Sequence, residues 1–157
     1  MIRTFLFGGP GTATTIGDVG LLVMRLLFGG LMAINHGWGK IYADGSIGPS
    51  AKFIGGVKNL GFPAPEFFAW MGAFTEFFGG ILVAIGLCTR PAALFLCIMM
   101  SVAAFGQHRR DPLPVMEMAL LYLGAFFLLL LIGGGRYALD SFFRRGRRVV
   151  LPKRSDQ

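Results

Sequence analysis

Apolar residues dominate four stretches of the chain, approximately Gly17–Trp38, Glu66–Leu87, Pro91–Gly106 and Leu113–Gly133, and most of the charges fall between or beyond them. A hydrocarbon layer of roughly 30 Å takes about 20 helical residues to cross, so each stretch predicts a membrane-spanning helix, the third being the shortest. In lipid every backbone N–H and C=O must be bonded within the protein, which an α-helix does by itself. The second and third stretches are joined only by CTRP, Cys88 to Pro91, a tight turn in which Pro91 suits a first helical position. Spans joined so tightly are antiparallel neighbours. The predicted fold is all-α: a polytopic membrane protein, an antiparallel bundle of four transmembrane helices.

Between Ala43 and Pro65 the pattern changes. After Ser50 as a cap, Phe53, Ile54, Val57 and Leu60 recur at helical spacing opposite Lys52 and Lys58, and GFPAP then forces a turn. This predicts a short amphipathic helix lying on the outer surface as a lid, apolar face down. The opening residues 1–16 carry one arginine and a brief apolar run broken by GGPG, too little for a secretory signal. They are read as an interfacial tail, with Thr15 as the cap of the first helix. The chain so divides into tail 1–16, membrane domain 17–135 and basic tail 136–157.

Composition excludes a water-soluble domain. Apolar residues make up 54% and charged residues 15%, and mean hydropathy is +0.64; long stretches have nothing with which to build a charged outer surface. The bilayer is the first partner implied. With both termini cytoplasmic, the inner side holds nine basic residues (Arg3, Arg90, Arg136, Arg144, Arg145, Arg147, Arg148, Lys153, Arg154) against five outside (Lys40, Lys52, Lys58, Arg109, Arg110), which favours that orientation in a bacterial inner membrane. RRGRRVVLPKR, Arg144 to Arg154, is explained by the same rule and by anionic lipid, not by nucleic acid. Cys88 and Cys97 lack CxxC spacing, so they suggest buried reduced thiols rather than a redox pair.

The polar residues inside the spans carry the chemistry. Arg25, Gly29, Met32 and His36 share one face of the first helix at 100° per residue. Ala69, Gly72, Ala73, Glu76, Gly79, Gly80 and Val83 share a face of the second, small residues around one carboxylate, which predicts a close helix contact. Counted inward from Gly17 and Gly86, Arg25 and Glu76 come to about 12 and 15 Å of depth. Each charge alone there costs about 2.5–3.5 kcal/mol, so the expectation is a buried Arg25–Glu76 ion pair, structural or else part of a proton or anion site. Asn35, His36 and Lys40 close the first span, Gln107 and His108 close the third, and Glu117 lies a turn inside the fourth. Together they predict a polar cavity open to the outer face, floored by Arg25 and Glu76 and rimmed by His36, His108 and Glu117. Trp38, Phe67, Phe68 and Trp70 would line its apolar approach.

On these residues the chain resembles the DoxX-like family of small four-helix membrane proteins. The resemblance covers about Asp18 to Asp140 and rests on the first-span arginine with NHGWGK, Asn35 to Lys40; on EFFGGILVAIGLCTR, Glu76 to Arg90; on the histidine closing the third span; on EMALLYL, Glu117 to Leu123; and on GGGRYALD, Gly133 to Asp140. It implies the four-span fold in a bacterial inner membrane, and in some relatives a link to quinone reduction or to complexes handling thiols and oxidative stress. It implies no agreed catalytic residues.

Two functional readings stand side by side. In one, a redox-associated membrane subunit binds a quinone-like or other small amphipathic ligand in the outer cavity, with a redox protein as partner and His36, His108 and Glu117 as donors and proton route. In the other, a non-enzymatic membrane protein binds or stabilises a partner in envelope or oxidative-stress homeostasis. Metal or haem ligation by His36, His108 and Glu117 ranks well below both. Glycines on helix faces permit a homodimer.

Overall fold

A computed structural model describes residue 12 and residues 14–144. Most of the interfacial N-terminal tail and the basic tail beyond Arg144 lie outside the described residues. The chain folds as four long helices, α1 (Thr15–Ile41), α3 (Pro65–Ile85), α4 (Thr89–Gln107) and α5 (Leu113–Ile132), each long and apolar enough to cross a membrane. A hairpin, β1 (Tyr42–Ala43) and β2 (Ser46–Ile47), and the short helix α2 (Ala51–Asn59) join α1 to α3. Helix α6 (Asp140–Arg144) follows α5 after a glycine-rich strap, residues 133–139.

The bundle is apolar outside as well as inside. Leu26, Phe78, Phe95, Leu121 and Phe127 are each more than half exposed, while Met32, Leu96, Phe126 and Leu129 are fully buried. With so much apolar surface on four long helices, lipid is the medium that fits the outer face. The helices form a ring in which α3 touches α1 and α4, and α5 touches α4. Aromatic rings close it between α1 and α5, where Phe28 and Tyr122 meet edge to face at 5.6 Å.

Small residues set the α1–α3 contact. A Cβ on Gly37 would lie 2.4 Å from the Phe77 amide nitrogen, and one on Gly80 would lie 2.7 Å from the Gly29 carbonyl oxygen. The two backbones therefore touch, the close approach expected where side chains gain nothing from escaping water. This contact also fixes register, with Gly37 beside Glu76 and Phe77, and Gly29 beside Gly80 and Ala84.

Helix α1 widens into π-helical turns over Arg25–Gly29 and Met32–Trp38, and α4 does so over Val102–Gln107. Such turns are rare, and the buried positions of α1 still recur at helical spacing through Arg25, Gly29, Met32 and Gly37. The cap of α1 is Thr14, whose Oγ1 accepts from the Gly17 N–H at 3.1 Å, one residue earlier than expected. Ser50 caps α2 as expected, accepting from the Phe53 N–H at 3.2 Å. The hairpin turns on Asp44 and Gly45, both at positive φ, a pairing that matches strand twist.

Helix α2 lies apolar face down. Val57 is buried and Lys52 and Lys58 are exposed. The Phe53 ring packs at Gly72 of α3 and Leu60 at Gly106 of α4, so the helix covers one end of the bundle.

Candidate functional site

Two buried charge centres occupy opposite ends of the α1–α3 contact. At the hairpin end, Lys40 Nζ lies 2.6 Å from Glu76 Oε1 and 4.6 Å from the centroid of the Phe53 ring. Lys40 keeps 29% of its side chain exposed whereas Glu76 keeps 3%, so the lysine brings charge down from the helix end to a carboxylate already inside the bundle. The second carboxylate oxygen, Oε2, is buried and has no hydrogen-bond partner among the described residues. An ionised carboxylate has about four acceptor positions, so this one has unused capacity pointing into the protein. Half-buried His36 stands one turn before Lys40 on α1, its ring edge-to-face with Tyr122 at 5.3 Å.

At the other end Arg25, fully buried, donates from its two terminal nitrogens to the Ala84 carbonyl at 3.4 Å and the Tyr137 carbonyl at 3.1 Å. The nearby negative charge is Asp140. That carboxylate is itself buried and accepts from the Cys88 N–H at 2.7 Å, the Thr89 N–H at 2.9 Å and the Thr89 hydroxyl at 2.7 Å. It thus satisfies the open amides at the start of α4, as a capping carboxylate does. Asp18, also buried, accepts from the Thr12 N–H at 2.8 Å and the Arg136 N–H at 3.4 Å. The strap is therefore tied down by Arg25 and Asp18 of α1 and clamps the α3–α4 turn through Asp140. Cys88, left-handed at φ 47° in that turn, has its thiol pushed up from the usual range, first by burial and then by the Asp140 charge.

The expected Arg25–Glu76 pair is not formed. Gly86, taken as a marker of the membrane boundary, instead lies level with Arg25: a Cβ there would collide with the guanidinium. The strap covers this turn, with the Leu139 and Asp140 N–H groups donating to the Ile85 and Gly86 carbonyls. Glu76 is level with Gly37, roughly 15–18 Å of helix away from Arg25. Each charge has found its own answer.

The expected outward-open polar cavity is not formed either. Asn35, Gln107 and Glu117 are exposed on the outside of the bundle, and His108 Nδ1 is 2.8 Å from Asp111 Oδ2 in the loop after α4. Gln107 turns its Oε1 over Gly56 of α2 instead. With His108 engaged there and Glu117 exposed, the ligand set weighed for a metal or haem is not assembled. Trp70 and Phe67 line an open depression of roughly 560 Å³ with Ala64, Pro65 and Glu66, at the start of α3. Trp38 lies elsewhere, 5.7 Å from the Phe77 ring, and Phe68 packs against Phe62 at 4.7 Å. Of the candidates, the structure pairs Lys40 with Glu76 and places His36 one turn before Lys40 on α1. Sequence reasoning overlooked Asp18 and Asp140, although Asp140 ends the GGGRYALD segment; their signal was a carboxylate beside each end of a span, the positions from which a strap can be held.

Four apolar helices with this paired-charge interior define a multi-pass membrane protein, and the profile of the DoxX family matches residues 20–109, which contain Arg25, Lys40 and Glu76. That match covers more than half of the chain, and the protein belongs to the DoxX family. It is similar to Inner membrane protein YqjF of Escherichia coli (strain K12), 31% identical over 132 residues, or 82% of this chain and 95% of that protein. No solved structure matches it.

Proposed function

We propose that this protein is a redox-associated inner-membrane subunit that binds a quinone-like amphipathic ligand at Glu76, Lys40 and His36. One observation carries the reading: a buried carboxylate oxygen, Glu76 Oε2, without a partner among the described residues. Leaving such an acceptor bare costs about 1–3 kcal/mol or more for a charged group, which a ligand hydroxyl would recover. Lys40 has donor capacity beyond its one bond to Glu76, and His36 adds a ring nitrogen, so a carbonyl oxygen would also find a donor. Phe53 beside Lys40 and Tyr122 beside His36 suit a flat apolar head. The name of the similar inner membrane protein supports the location. The excess of basic residues at the tail end supports cytoplasmic termini, with the hairpin and α2 outside.

The test is a titration of purified protein in lipid nanodiscs with decylbenzoquinone and its quinol, beside mass spectrometry of the lipid extract. Binding is expected, weakened roughly tenfold or more in Glu76→Gln, since one charge-assisted hydrogen bond is lost. An empty extract with no saturable binding would overturn the reading in favour of a partner-binding membrane protein.

A further inference from the structure

The Glu76 site is closed from most directions. Toward the hairpin end it is roofed by α2, with Phe53 over Lys40 and Leu60 against Gly106. The α1–α3 seam is backbone against backbone at Gly29, Gly37 and Gly80, and in the α3–α4 seam Gly79 receives Leu96 and Gly72 receives Met99 at contact distance. The α4–α5 seam is closely packed, with buried Leu96, Cys97 and Met100 clustered with Phe126 and Leu129. No ligand head passes such seams without separating helices.

The α1–α5 seam is built differently. There the backbones stand apart and aromatic rings fill the gap: Tyr122 meets Phe28 at 5.6 Å on one side and His36 at 5.3 Å on the other. Rings can swing about their side-chain bonds, whereas touching backbones cannot. On the hairpin side of this contact the two helices also present exposed polar groups, Asn35 and Glu117, within segments otherwise surfaced for lipid. Polar groups are rare on such a surface because each is expensive there.

We infer that the ligand of the Glu76 site enters sideways from the bilayer through the α1–α5 seam, past Tyr122, and so is a lipid-dissolved molecule whose polar head reaches Glu76 while its apolar tail stays between the helices. This rests on the ligand reading above. Tyr122 is the ring that must move. A water-borne ligand without a tail would gain nothing from this route.

A benzoquinone carrying a diazirine on its decyl tail, photolysed in nanodiscs with the full chain and mapped by peptide mass spectrometry, tests this without any variant. The expected result is labelling of α1 around Phe28 to Asn35 and of α5 around Glu117 to Tyr122, suppressed by excess unlabelled decylbenzoquinone. Competed labelling confined to Phe53, Phe67 and Trp70 would overturn the sideways route while leaving the site standing. Absence of any competed label would overturn both.

Discussion

Lys40 and Glu76 form an ion pair at 2.6 Å that ties the last turn of α1 to the middle of α3. The lysine is partly exposed and the glutamate is not, so the two are unequal in what their loss would do. Lys40→Met leaves a buried carboxylate uncompensated and is expected to destabilise the fold by about 1–3 kcal/mol, below the 3–5 of wholly enclosed pairs because solvent screens part of the interaction. Glu76→Gln is expected to cost less, and the double variant to recover most of the Lys40→Met loss. Chemical denaturation in mixed micelles measures all three. An additive double variant would show that the pair holds nothing.

Arg25 is expected to be energetically independent of Glu76. Replacing Arg25 by Met strips donors from the Ala84 and Tyr137 carbonyls and frees the strap, a loss of about 1–3 kcal/mol that should also raise protease sensitivity within residues 133–144. Because the two sites share no partner, the Arg25→Met and Glu76→Gln effects should add to within about 0.5 kcal/mol. Coupling above that in the same denaturation experiment would reinstate a direct pair.

The separation of Arg25 from Glu76 was hidden in the sequence because of how α3 ends. The four spans, the Ser50 cap and the downward face of α2 all come from local pattern, because lipid imposes helix length and burial imposes the stripe of Phe53 and Val57. Glu76 facing a seam of small residues was equally legible, and Gly72, Gly79 and Gly80 are buried as that face requires. Depth was not legible, because it depends on a strap from beyond α5 folding over Gly86 and bringing Asp140 to the Thr89 amide. The face of α1 read from the sequence held through its π-helical turns, with Arg25, Gly29 and Met32 buried and His36 half-buried. His36 was reached by that face, but its neighbour Tyr122 was visible only once α1 and α5 were side by side.

Asp140 should govern both the stability of the α3–α4 turn and the reactivity of Cys88. Asp140→Ala leaves the Cys88 and Thr89 amides and the Thr89 hydroxyl without their acceptor, at a cost near the upper end of capping losses, about 2 kcal/mol. Asp140→Asn keeps one oxygen and removes the charge. The negative charge disfavours a second anion beside it, so its removal lowers the raised Cys88 value and increases the thiolate fraction at a given pH. Iodoacetamide should therefore modify Cys88 with a pH midpoint above the usual thiol range in the wild type and at lower pH in Asp140→Asn. Identical profiles would remove Asp140 as a cause.

Glycine-to-alanine substitutions should separate contact glycines from open ones along the same helices. At Gly37 the new methyl would meet the Phe77 backbone and at Gly80 the Gly29 carbonyl, and backbone cannot rotate aside as a side chain does. Such overpacking costs about 1–3 kcal/mol at least, and here it would also pry α1 from α3 and separate Lys40 from Glu76. Gly20 on α1 and Gly124 on α5 have nothing within 4 Å of the added carbon, so alanine there should be neutral or stabilise by up to about 1 kcal/mol through the better helix former. Thermal melts of the four single variants in one detergent decide it. If Gly37→Ala melts with Gly124→Ala, the backbone contact that sets the height of Glu76 beside Lys40 does not exist, and the site built on it falls with it.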